Sequence, residues 1–227
     1  MNKVTLQDRI DQVEHRIQTA VSRSGRTRDD VTLVAVTKKF SAPVICEAYS
    51  LGLRTFGENY VQEFAEKRSA LTDLADARFH LIGHLQSNKA RQAVDVFQVI
   101  ETVDSEKLAR RLDQMGTPLE VMIEVKLSPE EAKAGAAPDE LPNLIESIRA
   151  CGNLQLTGLM TMPPWNPDPE TTRPYFRRLA ELGRLHKLPK LSMGMSHDLE
   201  AAIEEGATHI RVGTALFGPR PATRTDE

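Results

Sequence analysis

The chain has 227 residues, of which 40% are hydrophobic and 27% charged, and its 29 basic and 32 acidic residues give a net charge of −3. This composition supports a buried core and excludes a disordered chain, and the balanced charge argues against nucleic acid as a partner. The length suits one domain over 1–227. Because the sequence has no apolar run of roughly 18 residues and no leader pattern at its start, we expect the protein in the cytoplasm and not in a membrane.

The first predicted element is an amphipathic helix between Val4 and Val21. Its apolar residues recur at steps of three and four, which is the helical period; they are Leu6, Ile10, Val13, Ile17 and Val21. This helix precedes the first predicted strand and stands outside the alternation that follows.

Eight β-like segments then alternate with helix-like segments. The strand candidates are VTLVAVT at 31, RTFGEN at 54, RFHLIG at 78, VFQVIETV at 96, LEVMIEVKL at 119, LQLTGLMTM at 154, KLSMGM at 190 and HIRVGTALFG at 209. Strict alternation predicts an α/β fold with parallel strands. Eight units favour a closed (β/α)8 TIM-type barrel, because the alternative, an open doubly wound sheet, leaves two strands with an unpaired edge. Residues 219–227 have no apolar period and are expected to form a flexible tail.

Lys38 follows the first strand, at the end of the barrel where functional residues are expected. Strand alternation places it on the same side as Val34 and Val36. Partial burial and the neighbouring charge of Lys39 would lower its pKa and increase the free amine that attacks an aldehyde. The alternative is a lysine that extends into solvent from the end of a strand.

The turns after the last two strands predict a phosphate site, since barrels commonly bind phosphate there. Ser196 is placed as the N-cap of a helix over 199–205, and its hydroxyl would face the ligand or only cap the helix. Gly213 permits close backbone approach, and Thr214 adds a second hydroxyl.

Two further residues are candidates for contact with an aromatic ligand. Arg211 should point into the barrel, where its guanidinium needs an acceptor. A pyridine nitrogen would serve, and the alternative is an ion pair with Glu124 or Glu58. Asn59 could bond a ring hydroxyl or only form a turn. We expect no metal site, because His80 and His84 lie on a strand and its loop and not on one helix face.

Taken together, several segments resemble the pyridoxal phosphate homeostasis (YggS-like) protein family over nearly the whole chain. They are VAVTK (34–38), FGENYVQE (56–63), HLIGHLQSNK (80–89), EEAKAG (130–135), GLMTMPP (158–164), LSMGMSHDLEAAI (191–203) and RVGTALFG (211–218). The resemblance implies a barrel like the cofactor domain of alanine racemase, with pyridoxal 5'-phosphate bound as a Schiff base.

By this resemblance Lys38 would carry the cofactor, with Lys39 the less favoured neighbour. Ser196, Gly213 and Thr214 would hold its phosphate, Arg211 would face its pyridine nitrogen, and Asn59 would lie near the ring. The resemblance further implies a role in buffering the cofactor and delivering it to apo-enzymes that require it. We expect the protein to be a monomer.

Catalytic turnover is not expected. Racemisation needs a base on each face of the cofactor, and Lys38 supplies one. All three tyrosines, Tyr49, Tyr60 and Tyr175, lie in predicted helices, and the chain ends soon after its eighth strand. An arginine at the ring nitrogen also weakens the electron sink. The open alternatives are an amino-acid racemase or related enzyme and a cofactor-free Schiff-base aldolase.

Overall fold

Eight parallel strands close into a barrel in the computed structural model, which describes residues 4–128 and 134–219. Each strand pairs with the next along the chain, and the first pairs with the eighth. This closure confirms the barrel and rules out the open sheet. The strands are β1 Thr32–Val36, β2 Thr55–Glu58, β3 Arg78–Leu81, β4 Val99–Val103, β5 Leu119–Glu124, β6 Leu154–Met160, β7 Lys190–Met195 and β8 His209–Val212.

Helices surround the barrel and alternate with the strands, as expected. Within the described residues they are α1 Leu6–Arg23, α2 Ala42–Ser50, α3 Val61–Arg68, α4 Ala90–Val96, α5 Glu106–Asp113, α6 Leu141–Arg149, α7 Arg173–His186, α8 Leu199–Glu204 and α9 Thr214–Phe217. In the described part of the chain, none is long and apolar enough to cross a membrane.

The structure corrects several predicted boundaries. The predicted eighth strand runs to residue 218, whereas β8 ends at Val212 and the next residues form α9. The backbone leaves the extended conformation at Gly213, where φ is −116° and ψ is −76°. Val96, predicted to begin the fourth strand, ends α4 instead. The predicted tail lies, apart from Pro219, outside the described residues.

Burial separates the residues of each strand into two layers. In β1, Leu33 and Ala35 pack in the apolar core between strands and helices. Val34 and Val36 are also buried but face the inside of the barrel, as strand parity predicts. The inside contains apolar Met122 and Met160 together with buried polar side chains, which are His80, Glu101, Ser192, His209 and Arg211.

Helix α1 covers the last part of the barrel by packing on α8 and α9. Arg16 in α1 binds the carboxylate of Glu200 through two nitrogens, at 2.6 and 2.7 Å, and donates to the carbonyl of Ser196 at 2.8 Å. The helix outside the alternation therefore helps to hold the turn that follows β7.

Candidate functional site

The carboxyl ends of the strands surround a cavity of about 290 Å³. Its volume is close to the lower end of the roughly 300–1,000 Å³ typical of small-ligand pockets. All six residues selected from the sequence line it, and they come from the ends of β1, β2, β7 and β8 and from the turns that follow. They are Lys38, Asn59, Ser196, Arg211, Gly213 and Thr214.

Lys38 and Lys39 occupy different surroundings. Lys38 lies in the turn after β1, is half-buried and lines the cavity, whereas Lys39 is exposed. Lys39 also has a left-handed backbone, with φ of 66°, which is uncommon outside glycine. The turn therefore directs the first of the two amines toward the cavity, in agreement with strand parity.

Arg211 is 3% exposed and is held by neighbouring strands. It donates to the hydroxyl of Ser192 in β7 and to the carbonyl of Thr161 after β6, each at 2.8 Å. Neither Glu58 nor Glu124 forms an ion pair with it, so that alternative was wrong. The guanidinium is thus fixed at the floor of the cavity by neutral acceptors.

A buried chain of hydrogen bonds continues from Arg211 into the barrel. Ser192 donates to Glu101 at 2.5 Å, and the other carboxylate oxygen of Glu101 lies 2.6 Å from Nδ1 of His80. Burial alone would raise the pKa of Glu101, but the hydrogen bond from His80 and the positive charges around it lower that pKa to about 2. A carboxylate therefore stands behind Arg211 and offsets its buried charge.

The turns after β7 and β8 meet at the hydroxyl of Ser196. Its oxygen accepts from the backbone N–H groups of Gly213 and Ala215, each at 3.3 Å, and lies 3.3 Å from the hydroxyl of Thr214. Two amide donors and two hydroxyls therefore meet beside the cavity, and Ser196, Gly213 and Thr214 line it. This is the donor set that an anionic oxygen requires.

The predicted helix-capping role of Ser196 was wrong. The residue before α8 is Asp198, whose Oδ1 accepts from the backbone N–H of Met195 at 2.6 Å. Asp198 thus closes the turn, which leaves Ser196 to reach across to the turn after β8. The Ser196 hydroxyl therefore lies at the predicted phosphate site because it bonds the turn after β8, and not because it caps α8.

Asn59 lines the cavity and carries a buried side-chain oxygen. Its Oδ1 has no hydrogen-bond partner among the described residues, although burying an acceptor without one is costly. Its backbone packs tightly against Gly83, where an added Cβ would lie 2.3 Å from the carbonyl oxygen of Asn59. The position of Asn59 is therefore set by close contact with the loop after β3.

Six further residues of the cavity wall were not selected from the sequence. Val36, Ile82 and Met195 belong to apolar stretches, whose composition does not single out a ligand contact. The others are Met162, Trp165 and His197. Trp165 is 71% exposed, and its ring lies 6.1 Å from that of His197. Their place in the sequence could have identified them, because Met162 and Trp165 follow β6 and His197 follows β7, at the functional end of the barrel.

The tyrosines are not part of the cavity wall. Tyr49 is in α2 and donates to Asp76, Tyr175 is in α7, and Tyr60 immediately precedes α3 instead of lying inside a helix as predicted. None of the three lines the cavity. His80 lies inside the barrel and His84 is 3.6 Å from Asp104, and no group of potential metal ligands occurs in residues 4–128 and 134–219.

Comparison with known proteins gives consistent matches along the chain. Residues 9–221 match the model of the alanine racemase N-terminal domain. The pyridoxal phosphate homeostasis protein of Aquifex aeolicus is 44% identical over 223 residues, which cover 94% of this chain and 97% of that protein. The protein of the same description from Pseudomonas aeruginosa is 44% identical over 222 residues, which cover 95% and 96% of the two chains.

Among solved structures, PipY of Synechococcus elongatus PCC7942, determined with PLP bound, is 40% identical. The match covers 94% of this chain and all of that chain, with a TM-score of 0.81. One segment that carried the resemblance, EEAKAG at 130–135, lies mostly outside the described residues.

Proposed function

Because this chain belongs to the pyridoxal phosphate homeostasis protein family, whose fold is that of the alanine racemase N-terminal domain, we propose that it binds pyridoxal 5'-phosphate as a Schiff base on Lys38 and serves to hold and supply the cofactor. The observation that carries this proposal is the shared cavity. An amine, a buried arginine and a cluster of anion donors line it together.

Lys38 supplies the reactive amine. In its neutral form, Nζ attacks the aldehyde carbon, a C=N bond replaces the C=O bond, and the oxygen leaves as water with both amine protons. The position of Lys38 supports this step, because its half-buried side chain lines the cavity. The exposed Lys39 has no comparable access to the cavity.

The other residues fit the remaining groups of the ligand. The amides of Gly213 and Ala215 and the hydroxyls of Ser196 and Thr214 would bind phosphate oxygens. Arg211 would donate to the pyridine nitrogen while Ser192 and Thr161 keep its orientation. The unsatisfied oxygen of Asn59 would accept from the ring hydroxyl.

A carrier role is supported by the groups around the cavity. Arginine keeps its proton, so a pyridine nitrogen bound to it stays unprotonated and withdraws electrons weakly. None of the three tyrosines lines the cavity. Both features disfavour removal of a substrate hydrogen, and we therefore propose storage and delivery to apo-enzymes instead of turnover.

The visible spectrum tests the binding proposal. We expect purified wild type mixed with the cofactor to show an imine band, Lys38→Ala to lose it, and Lys39→Ala, the matched control, to keep it. Reduction with borohydride followed by peptide mass mapping should find the label on Lys38. A second experiment tests the supply of cofactor: loaded wild type is mixed with an apo-enzyme that requires pyridoxal phosphate, and recovery of that enzyme's activity is followed. A band retained in Lys38→Ala, or a colourless wild type, would overturn the assignment.

One observation favours catalysis as a second candidate. His197 lines the cavity, and its Nε2 lies 3.8 Å from Asp198 Oδ2 without a hydrogen-bond partner among the described residues. Such an imidazole could serve as a second base. Incubation with amino acids in D2O distinguishes the two roles. The carrier should exchange α-hydrogens no faster than free cofactor, whereas exchange that is lost in His197→Gln would identify an enzyme.

A further inference from the structure

The turn that carries Lys38 is held from both sides. The backbone N–H of Phe40 donates to the carbonyl of Thr37 at 3.0 Å, which closes the turn around the two lysines. The second of these lysines, Lys39, has the left-handed φ of 66°. For a non-glycine residue this conformation costs about 1–2 kcal/mol, so surrounding contacts must compensate.

Three side chains supply those contacts. Glu63 accepts from the backbone N–H of Lys39 at 2.6 Å, and Lys67 donates to the carbonyl of Thr37 at 3.2 Å. Lys67 also binds Glu63 at 2.6 Å and Glu58 at 3.1 Å, and Glu58 accepts from the hydroxyl of Thr37 at 2.8 Å. Both residues that flank Lys38 are therefore bound to one connected group, which we call the turn clamp: Glu58, Glu63 and Lys67.

Two of the three residues of the turn clamp are buried or nearly so, whereas the side chain of Glu63 is 27% exposed. The side chain of Glu58 is fully buried and that of Lys67 is 11% exposed. Burial raises the pKa of Glu58, while the charge of Lys67 opposes this. Charged groups that bond in such a dry site constrain geometry more than exposed pairs do.

Local structure explains why these side chains reach the turn. Glu63 and Lys67 are four residues apart in α3 and so share one face of that helix. Phe64 anchors α3 between Phe79 and Phe97, with ring centroids 4.7 and 4.8 Å apart. Since α3 is fixed on β3 and on the C-terminal end of α4, its charged face is presented rigidly to the end of β1.

From this arrangement we infer that Glu58, Glu63 and Lys67 are positioning residues that direct Lys38 toward the bound aldehyde and keep Lys39 away from it. The inference rests on the proposed Schiff base. None of the three lines the cavity, so they act through the backbone on either side of Lys38 and not on the ligand. Misplacement of a reacting group by about 1 Å can cost about 100-fold in rate.

The test measures how fast and where the imine forms. Wild type, Lys67→Met and Glu63→Gln, freed of cofactor by dialysis, are mixed with pyridoxal phosphate, and the growth of the imine band is followed. We expect both variants to react about 10- to 100-fold more slowly. Borohydride labelling should also shift partly from Lys38 to Lys39. Affinity for 4'-deoxypyridoxine 5'-phosphate, which lacks the aldehyde, should not change, because the phosphate donors are untouched.

Lys190→Met is the matched control, because it breaks a lysine–glutamate pair, with Glu120, at the start of β7 and far from the cavity mouth. It should react like wild type. Lys67→Arg keeps the charge and should recover most of the rate, and Glu63→Gln carries the test if Lys67→Met fails to fold. Wild-type rates and exclusive Lys38 labelling in both clamp variants would overturn the positioning role alone. A wild type that forms no imine would overturn the proposed function as well.

Discussion

The hydroxyl of Ser192 connects two opposite buried charges: it accepts from Arg211 at 2.8 Å and donates to Glu101 at 2.5 Å. Replacing it with alanine removes both bonds and leaves buried polar groups unsatisfied. We expect Ser192→Ala to lower the free energy of unfolding by about 1–3 kcal/mol. Urea denaturation measures this change.

The exposed Ser22, whose hydroxyl bonds only a carbonyl of its own helix, supplies the control for Ser192→Ala. Ser22→Ala should change the free energy of unfolding by less than about 0.5 kcal/mol. Equal effects of the two substitutions would show that the connection through Ser192 contributes nothing to stability.

We expect the buried His209 to make the protein less stable in acid. Burial lowers its pKa from 6.5 to about 4, although the carboxylate of Glu101 partly opposes the shift. The unfolded chain therefore takes up the proton near pH 6.5 and the folded protein only near pH 4. The free energy of unfolding is therefore unaffected by His209 above about pH 6.5 and decreases as the pH falls to 4, by up to about 3 kcal/mol.

Denaturation in urea at pH 7.5, 6 and 5 tests this expectation. His209→Gln should flatten the dependence over that range, whereas His15→Gln, on the exposed face of α1, should keep it. The low pKa of Glu101 acts in a separate window, between its ordinary 4.5 and about 2. A slope that is identical in wild type and His209→Gln would contradict the assignment to His209.

Gly83→Ala should disturb the site through Asn59. The added methyl would lie 2.3 Å from the carbonyl oxygen of Asn59, so one of the two backbone segments must move. We expect a loss of about 1–3 kcal/mol in the free energy of unfolding, together with weaker cofactor binding in a fluorescence titration. At Gly152 no atom lies within 4 Å of such a methyl, so Gly152→Ala should stay within about 0.5 kcal/mol of wild type. Unchanged cofactor binding in Gly83→Ala would show that the position of Asn59 does not influence binding.

Ser196→Ala should weaken binding of the phosphorylated ligand selectively. The hydroxyl is a potential donor to the phosphate and organises the amides of Gly213 and Ala215. A hydrogen bond to a charged group contributes about 1.5–3 kcal/mol, so affinity should fall roughly 10- to 100-fold. Equilibrium dialysis against pyridoxal, which has no phosphate, should give the same affinity for variant and wild type. An equal loss for both ligands would argue against a phosphate contact.

The alternation of apolar segments predicted the barrel, because eight parallel strands can satisfy every edge only by closing. Strand parity also predicted that Val36, Lys38 and Arg211 face inward. The role of Ser196 was harder, since serine and aspartate both cap helices and Asp198 lies closer to α8. The sequence does not tell which turn a hydroxyl will meet across the barrel.

Long-range partners account for the other differences. Arg211 bonds Ser192 in β7 and the carbonyl of Thr161 after β6, whereas the alternative considered from the sequence was an ion pair with a strand-end acid, Glu124 or Glu58. The turn clamp shows the same limit. Its residues lie within the recognised segment FGENYVQE or one helical turn after it, yet their contact with the Lys38 turn depends on how α3 packs.

The barrel closes between β1 and β8, and the candidate site draws its amine from one and part of its anion donors from the other. On the ribosome β1 emerges early and β8 near the end of synthesis. A growing chain therefore contains the proposed Schiff-base lysine long before it contains all of the proposed phosphate donors. Pairing of the two strands is a contact between distant parts of the sequence, which forms late and slowly. If Lys38 holds the cofactor as proposed, stable loading is therefore expected only after the barrel has closed.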